Sequence, residues 1–274
     1  LVAELSKDPD KLKLGGERRD ITVLFADIRG FTTMSEGYKD KPEELTVLLN
    51  DLLTPLTHEI MDQKGTIDKY MGDAIMAFWN APVDVPNHPR IGCEAAIKMM
   101  IALEVLNREL IGSGRISEPL KIGIGLNTGE VTVGNLGSEQ RFDYSCLGDA
   151  INLGSRLEGL SKAYGVPIVI GESTYNVLDE PPSDAEVVLL DHVIVKGKSI
   201  PVAIYGIIPH ENYNTDWCAD HNTLMGLIER EVWDEVETVL GRLRDLDSYP
   251  AELLDQVIYR FENKVSAVRE MTTK

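Results

Sequence analysis

The sequence predicts an α+β fold in which helices pack on a mainly antiparallel sheet. Residues 21–25 form a continuous apolar run, which is typical of a strand covered on both faces. From Pro42 onward, leucines recur at helical spacing, which predicts a helix after that strand. Strand-like and helix-like segments then alternate too irregularly for a doubly wound parallel sheet, which favours the mixed class.

After this strand, the first half of the chain contains a helix, a hairpin and a second helix. Pro55 lies within the leucine-rich helix, where it should cause a kink or mark a boundary. Residues 65–79 are typical of two short strands around a turn that contains Gly72. Apolar residues at helical spacing over residues 88–110 predict the second helix.

The second half of the chain adds further strands and a third helix. Four stretches are typical of strands: residues 120–126, 131–133, 167–170 and 187–208. Turns are expected at residues 127–129, and at residues 196–198 within the last stretch. The third helix covers residues 149–164, with Gly165 in a position typical of a helix C-terminal cap.

The character of the chain changes near residue 210. Beyond it, apolar residues predict one helix over residues 224–243 and a second over residues 250–269. We therefore divide the chain into a lead-in segment (1–17), a main domain (18–209) and a helical C-terminal extension (210–274).

Composition excludes some classes of function. A formal net charge of −18 with no basic tract argues against nucleic-acid binding. The three cysteines have no metal-ligand spacing, so we expect reduced thiols and a cytoplasmic location. No apolar run reaches the roughly 18 to 20 residues of a membrane helix. Because the chain begins at Leu1, we expect a fragment, with an upstream sensor or membrane domain left open.

Two aspartates stand where an apolar, strand-like run meets a glycine-containing turn: Asp27 precedes Gly30, and Asp73 follows Gly72. Either alone is more often a turn or capping residue. A buried carboxylate without a partner is costly, so the pair indicates a divalent cation. Mg²⁺ is favoured because it binds oxygen ligands and usually brings substrate phosphates. Lys69, four residues before Asp73, adds a positive charge, and together these residues indicate phosphoryl transfer.

The third helix carries a second candidate pair. Asn152 and Arg156 are four residues apart and therefore lie on one helical face. An amide and a guanidinium near a helix N-terminus suit a ribose and a phosphate. Taken alone, the pair is more often two surface residues without a ligand.

Four motifs in order make the chain resemble a known family. They are residues 25–31, 69–73, 142–153 and 195–198, read as FADIRGF, KYMGD, FDYSCLGDAINL and VKGK. The chain resembles the class III nucleotidyl cyclase catalytic domain, and its adenylyl cyclases in particular, over about residues 18–208. The resemblance implies a ferredoxin-like βαββαβ core and a reaction that converts ATP to 3′,5′-cyclic AMP and pyrophosphate.

The resemblance also implies roles for single residues. Asp27 and Asp73 match the metal-binding aspartates, with the Ile28 carbonyl as a further ligand, and two Mg²⁺ ions are implied, with Mn²⁺ as an alternative. Lys69 and Ser145 match the two residues that recognise the adenine base.

The remaining matches concern the ribose and the phosphates. Asn152 matches the residue that orients the ribose, and Arg156 matches the one that stabilises charge on the reacting phosphate. Lys196 matches a lysine that holds the terminal phosphates, although a plain turn lysine is an alternative. In this family one protomer supplies the aspartates and the other supplies the base, ribose and phosphate contacts. The resemblance therefore implies a head-to-tail homodimer with two equivalent sites.

Two positions depart from the best-known pattern of the family. Many members have aspartate where this chain has Ser145, whereas a bicarbonate-responsive branch has threonine, so bicarbonate is a candidate regulator. Glu130 falls where some mammalian domains carry a phosphate-binding arginine. Either another cation such as Arg141 substitutes for that arginine, or the contact is missing.

Three alternatives are weighed against an adenylyl cyclase. A guanylyl cyclase has glutamate at position 69 and cysteine at position 145, and Cys146 is one place away from the second of these. A degenerate domain used only for dimerisation or nucleotide sensing usually loses an aspartate or the Asn–Arg pair, and this chain keeps all four. A diguanylate cyclase is disfavoured because its Gly-Gly-acidic-acidic-Phe signature is absent from the sequence.

Overall fold

A nine-stranded sheet lies at the centre of the computed structural model, which describes residues 14–195, 201–266 and 269–271. The strands are β1 (Gly15–Ile28), β2 (Thr66–Met71), β3 (Ala74–Trp79), β4 (Ile122–Ser138), β5 (Arg141–Leu147), β6 (Ile168–Gly171), β7 (Ala185–Val195), β8 (Val202–Pro209) and β9 (Arg269–Met271). The helices are α1 (Phe31–Glu36), α2 (Pro42–Asp62), α3 (His88–Gly112), α4 (Asp149–Ala163), α5 (Glu172–Tyr175), α6 (Cys218–Glu229), α7 (Trp233–Arg244) and α8 (Ala251–Asn263).

The strands run across the sheet in the order β2-β3-β1-β4-β6-β8-β7-β9, and β5 forms a hairpin with β4. Neighbours are antiparallel except for the pairs β4–β6 and β7–β9. β1 pairs with β4 along its whole length, from Gly15 opposite Asn135 to Ile28 opposite Ile122. The sequence prediction of an α+β fold with a mainly antiparallel sheet is confirmed.

Helices cover both faces of the sheet because buried strands direct alternate side chains to opposite sides. On β6, Ile168 and Ile170 pack into a core with α2 and α3, whereas Val169 packs into a second core. The second core contains Leu157 of α4 and Leu240 of α7. The extension helices thus share a hydrophobic core with α4.

Two strands are longer than the sequence predicts. β4 runs without a break through residues 127–129, where we expected a turn. The polar side chains there are buried and bonded within the fold: Thr22 Oγ1 lies 2.8 Å from Thr128 Oγ1, and Asn127 donates to the Ala150 carbonyl at 3.1 Å. β1 begins at Gly15, inside the predicted lead-in segment, because it pairs with the extended β4.

The helices differ from prediction at their boundaries. α2 continues through Pro55 to Asp62. The single helix predicted over residues 224–243 is wrong: α6 and α7 are separate, and Glu231 between them has a positive φ of 61°. α8 ends at Asn263, followed by Lys264 in the left-handed region, and residues 269–271 form a strand. The division at residue 210 stays a prediction.

Two further expectations concern the chain as a whole. The three cysteines are buried and none forms a disulfide. Across the described ranges, no helix has both the length and the apolar character that crossing a bilayer requires. The turn predicted at residues 196–198 lies outside the described residues, although the flanking strands β7 and β8 pair antiparallel.

Candidate active site

Two carboxylates meet at one end of the β1–β3 pair. Asp27 lies near the end of β1, and Asp73 lies in the turn before β3, directly after Gly72, whose φ of 69° favours glycine. Because Ala26 pairs with Ile75, the antiparallel register brings Asp27 and Asp73 to the same end of the β1–β3 pair. Partial burial, and then the charge of Asp27, raise the pKa of Asp73 to about 6.

This crowding of like charges fits a cation site. Within the described ranges, no group of three or more His, Cys, Asp and Glu side chains is placed to hold a metal. A pair of carboxylates is nonetheless what Mg²⁺ commonly takes from a protein, since substrate phosphates and water complete its octahedral shell. The Asp27 carboxylate also accepts the Ile28 N–H at 3.0 Å, which fixes one of its oxygens. Ile28 itself is buried, and its carbonyl stays a predicted ligand.

A third carboxylate, Glu158 of α4, lies near this pair and was not predicted. Burial, and then the charge of Asp27, raise the pKa of Glu158 to about 7, while the guanidinium of Arg29 opposes the rise. Glu158 is two residues beyond Arg156, so helical spacing directs it to a different face. None of the four sequence motifs includes Glu158. Its position near the aspartates follows from how α4 packs on the sheet.

The two predicted base-reading residues form a second group. Lys69 extends from β2, with 46% of its side chain exposed, and Ser145 lies on β5, where it is 7% exposed. Asp68 connects them: Ser145 Oγ donates to Asp68 Oδ2 at 2.6 Å, and Lys69 Nζ lies 3.1 Å from Asp68 Oδ1. The structure therefore brings Lys69 and Ser145 together through a side chain that the sequence analysis did not single out.

Helix α4 carries the other predicted pair on a closely packed support. The backbone of α4 lies directly on β4 at Gly125, where an added Cβ would meet the Gly154 carbonyl oxygen at 2.6 Å. Asn152 is exposed and Arg156 is half-buried. Neither side chain has a hydrogen bond or ion pair to any part of the chain that the structure describes. Both are therefore available to a ligand or a second protomer.

The remaining predicted positions are peripheral or outside the described residues. Glu130 forms an exposed ion pair with Arg18 on the neighbouring strand, at 3.2 Å. Arg141 is exposed at the start of β5. Lys196 falls outside the described residues. The role of each of these three residues stays a prediction.

Comparison with known proteins identifies the family. The family model described as the adenylate and guanylate cyclase catalytic domain matches residues 16–209. An adenylate cyclase of Anabaena cylindrica is 41% identical over 192 residues, which cover 69% of this chain and 37% of that protein. Adenylate cyclase 1 of Rhizobium meliloti (strain 1021) is 32% identical over 196 residues, covering 70% of this chain and 28% of that protein. The chain thus spans about a third of the length of these relatives.

Solved structures agree with this assignment. The crystal structure of a guanylyl cyclase is 36% identical with a TM-score of 0.64, and covers 73% of this chain and 98% of that one. The adenylyl cyclase CyaB from P. aeruginosa is 34% identical, with the same TM-score and coverage. Members of this family act on nucleotides, generally use divalent metal ions and function as dimers. The resemblance drawn from the four motifs is confirmed. The chain belongs to the class III nucleotidyl cyclase family, and residues 16–209 are its adenylate and guanylate cyclase catalytic domain.

Proposed function

We propose that this chain is an adenylyl cyclase that converts ATP to 3′,5′-cyclic AMP and pyrophosphate. The observation that carries the proposal is the polar cluster in which the buried Asp68 contacts both Lys69 and Ser145. A lysine donor beside a hydroxyl suits adenine, whereas a guanylyl cyclase is expected to have glutamate and cysteine at these positions. The relatives named adenylate cyclase support the same substrate.

Asp27, Asp73 and the Ile28 carbonyl are the residues we propose as metal ligands, for two Mg²⁺ ions or Mn²⁺. Bound there, the ions would neutralise phosphate charge and lower the pKa of the ribose 3′-hydroxyl. The role of the two aspartates is to hold this positive charge at the end of β1. Burial, and then the charge of Asp27, raise the pKa of Asp73, and a bound cation would stabilise both carboxylates in their charged form.

The other residues orient the substrate for in-line displacement. The ribose 3′-hydroxyl gives its proton to water and its oxygen attacks the α-phosphorus. The bond from that phosphorus to the pyrophosphate oxygen breaks, and pyrophosphate leaves. We propose that Asn152 orients the ribose and that Arg156 supplies fixed positive charge where negative charge develops. A preorganised group of this kind contributes about 3–4 kcal/mol in other enzymes. Lys196 is the proposed contact to the terminal phosphates.

We further propose that two chains assemble head to tail and share two equivalent sites. Each site would take the aspartates from one protomer, and Lys69, Ser145, Asn152 and Arg156 from the other. Support comes from Asn152 and Arg156, which bond to no other described residue. Glu130 and Arg141 are not assigned a role in this arrangement.

We propose a cytoplasmic location and a signalling role, with an upstream sensor or membrane domain as a partner in a longer protein. Ser145 keeps the hydroxyl found as threonine in a bicarbonate-responsive branch, which makes bicarbonate a candidate regulator. Stimulation of turnover by bicarbonate at constant pH would support that regulation.

A guanylyl cyclase is the second candidate, because a guanylyl cyclase structure shares 36% identity with this chain. Incubation of the purified chain with ATP or GTP, each with Mg²⁺ or Mn²⁺, separates the candidates when products are identified by mass spectrometry. We expect cyclic AMP from the wild type and no product from an Asp73→Ala control. Preferential formation of cyclic GMP would favour the second candidate. No product from either nucleotide would favour a sensing module.

A further inference from the structure

Asp68 is a buried carboxylate placed between the two residues that face the base. Its side chain has no exposed surface, although it belongs to β2 at the edge of the sheet. A buried carboxylate is costly and needs bonded partners to persist. The contacts that it makes therefore indicate what it does.

A β-bulge places Asp68 in this position. Along the β2–β3 pair, Ile67 lies opposite Ala77 and Lys69 lies opposite Met76, so Asp68 is an extra residue with no partner on β3. Bulges break the alternation of side chains and are common beside active sites, where they redirect a side chain. Here the bulge lets two consecutive residues, Asp68 and Lys69, contribute to one polar cluster.

The hydrogen bond between Ser145 and Asp68 has a fixed direction. A carboxylate can only accept, so the hydroxyl of Ser145 must be the donor in the 2.6 Å contact with Asp68 Oδ2. This length is typical of a charge-assisted bond to a carboxylate. Because its single proton is committed to Asp68, Ser145 can offer only lone pairs to a ligand.

The lysine keeps the opposite polarity. Lys69 Nζ lies 3.1 Å from Asp68 Oδ1, within ion-pair distance. Asp68 Oδ1 has no hydrogen-bond partner within the described ranges, so this contact is an ion pair without hydrogen-bond geometry. The ammonium group has three protons and no acceptor, so it remains a donor towards the ligand. Asp68 thus holds a donor at Lys69 and an acceptor at Ser145.

We propose that Asp68 is the residue that sets base specificity by fixing the polarity of Ser145, an inference that rests on the proposed function. Adenine presents an acceptor at N1 beside a donor at its 6-amino group. Guanine presents the reverse, a donor at N1–H beside an acceptor at O6. A site with a donor at Lys69 and an acceptor at Ser145 complements adenine and opposes guanine. Asp68 is a positioning residue, since it acts through Ser145 and Lys69.

The first test compares wild type, Asp68→Ala, Ser145→Ala and the double variant by the ratio of kcat/KM for ATP over GTP. Without Asp68 the serine hydroxyl can rotate and donate to O6, so we expect the ratio to fall by about tenfold or more, the equivalent of one hydrogen bond. In the Ser145→Ala background, Asp68→Ala should change the ratio much less. An Asp62→Asn control, at the exposed end of α2, should leave the ratio unchanged.

The second test needs no variant of Asp68, so it measures the acceptor role of Ser145, on which the proposal depends, even where Asp68→Ala does not fold. Purine riboside triphosphate lacks the 6-amino group, and we expect wild type to use it about tenfold less efficiently than ATP. The Ser145→Ala enzyme should lose most of that discrimination.

Each adverse result is distinct. The specificity role of Asp68 is overturned if Asp68→Ala loses kcat/KM equally with ATP and GTP. It is also overturned if wild type uses ATP and purine riboside triphosphate equally well. Cyclic AMP synthesis by the wild type would stand in both cases. Failure of the wild type to form any cyclic nucleotide overturns the proposed function, and this inference with it.

Discussion

Gly125 on β4 lies directly against the backbone of Glu158 on α4. A Cβ added at Gly125 would lie 2.1 Å from the Glu158 amide nitrogen, a distance at which the helix would have to move. Gly154 of the same helix lies close to β1, where an added Cβ would meet Val23 Cγ1 at 2.9 Å. The height of α4 above the sheet, and so the position of Arg156, depends on these glycines.

Gly125→Ala should therefore reduce both stability and turnover. Overpacking of this kind costs about 1–3 kcal/mol, because the added methyl group meets backbone atoms that cannot rotate away. A shift of α4 also moves Asn152 and Arg156, so we expect kcat to fall further than the folded fraction does. Urea denaturation and kcat measured on the same preparation check this expectation.

Gly159→Ala is the matched control on the same helix. A Cβ at Gly159 would have nothing within 4 Å. Replacing an unconstrained helical glycine by alanine typically stabilises by about 0.4–1 kcal/mol. We expect Gly159→Ala to keep full turnover. Equal behaviour of the two variants would contradict a packing role for Gly125.

Asp27→Ala and Asp73→Ala should each abolish metal-dependent turnover. Each removes half of the carboxylate pair that we propose as the cation site. The variants should also no longer respond to Mn²⁺ in a thermal-shift assay, whereas wild type should be stabilised by it. Asp255→Ala, on the exposed face of α8, is the control and should match wild type. Near-normal activity in either active-site variant would rule out the cation assignment.

The sequence predicted the order of the longer strands and helices up to residue 209, although not β5, and it named the candidate residues of the proposed site. Asp27, Asp73 and Asn152 are recognisable because each lies in a local motif whose meaning does not depend on distant residues. The hairpin around Gly72 follows from the residue types that tight turns require. The four motifs, in this order, identify the family without any knowledge of how the chain packs.

What the sequence could not predict depends on contacts between distant segments. Asp68 precedes a predicted site residue, yet its importance comes from a bulge and from Ser145, 77 residues away. The turn expected at residues 127–129 is a strand because buried side chains bond Thr128 and Asn127 into the fold. Glu158 acquires its raised pKa only when α4 packs on β4.

Mixing Asp27→Ala chains with Arg156→Ala chains should restore activity that neither has alone. In a head-to-tail dimer, one site of each heterodimer would combine the intact Asp27 of one protomer with the intact Arg156 of the other. Random exchange makes half of the dimers mixed, each with one working site of two, so recovery should approach about a quarter of wild type. Turnover after subunit exchange measures it.

The control for this complementation mixes Asp27→Ala with Asp73→Ala. Both residues belong to the same half of the proposed site, so no heterodimer site is intact and no recovery is expected. Heterodimers must be verified by differently tagged chains. Recovery in the control pair, or none in the test pair despite verified exchange, would contradict a site shared between protomers.

Glu158→Gln should make metal-free protein less sensitive to rising pH. The ordinary pKa of Glu158 is 4.5, and burial raises it to about 7 in the folded chain. Between these values the folded state binds more protons than the unfolded state, so this residue lowers stability as pH rises from about 4.5 to 7. Melting temperatures in EDTA across this range should fall less for Glu158→Gln. Glu139→Gln, at an exposed position, should follow wild type. Parallel curves for all three proteins would contradict a raised pKa at Glu158.

Arg260→Met should strongly destabilise the fold by separating α8 from the sheet. Arg260 is 2% exposed and forms an ion pair with the fully buried Asp191 of β7, whose other oxygen accepts the Tyr164 hydroxyl at 2.7 Å. Removing one partner of a buried pair leaves an uncompensated charge and costs about 3–5 kcal/mol. Urea denaturation measures this loss, and Arg244→Met, on the exposed side of α7, should change stability little. Because Tyr164 directly follows α4, Arg260→Met should also lower kcat in the folded fraction. An unchanged kcat would show that the C-terminal extension supports the fold but does not position α4, the helix that carries Arg156.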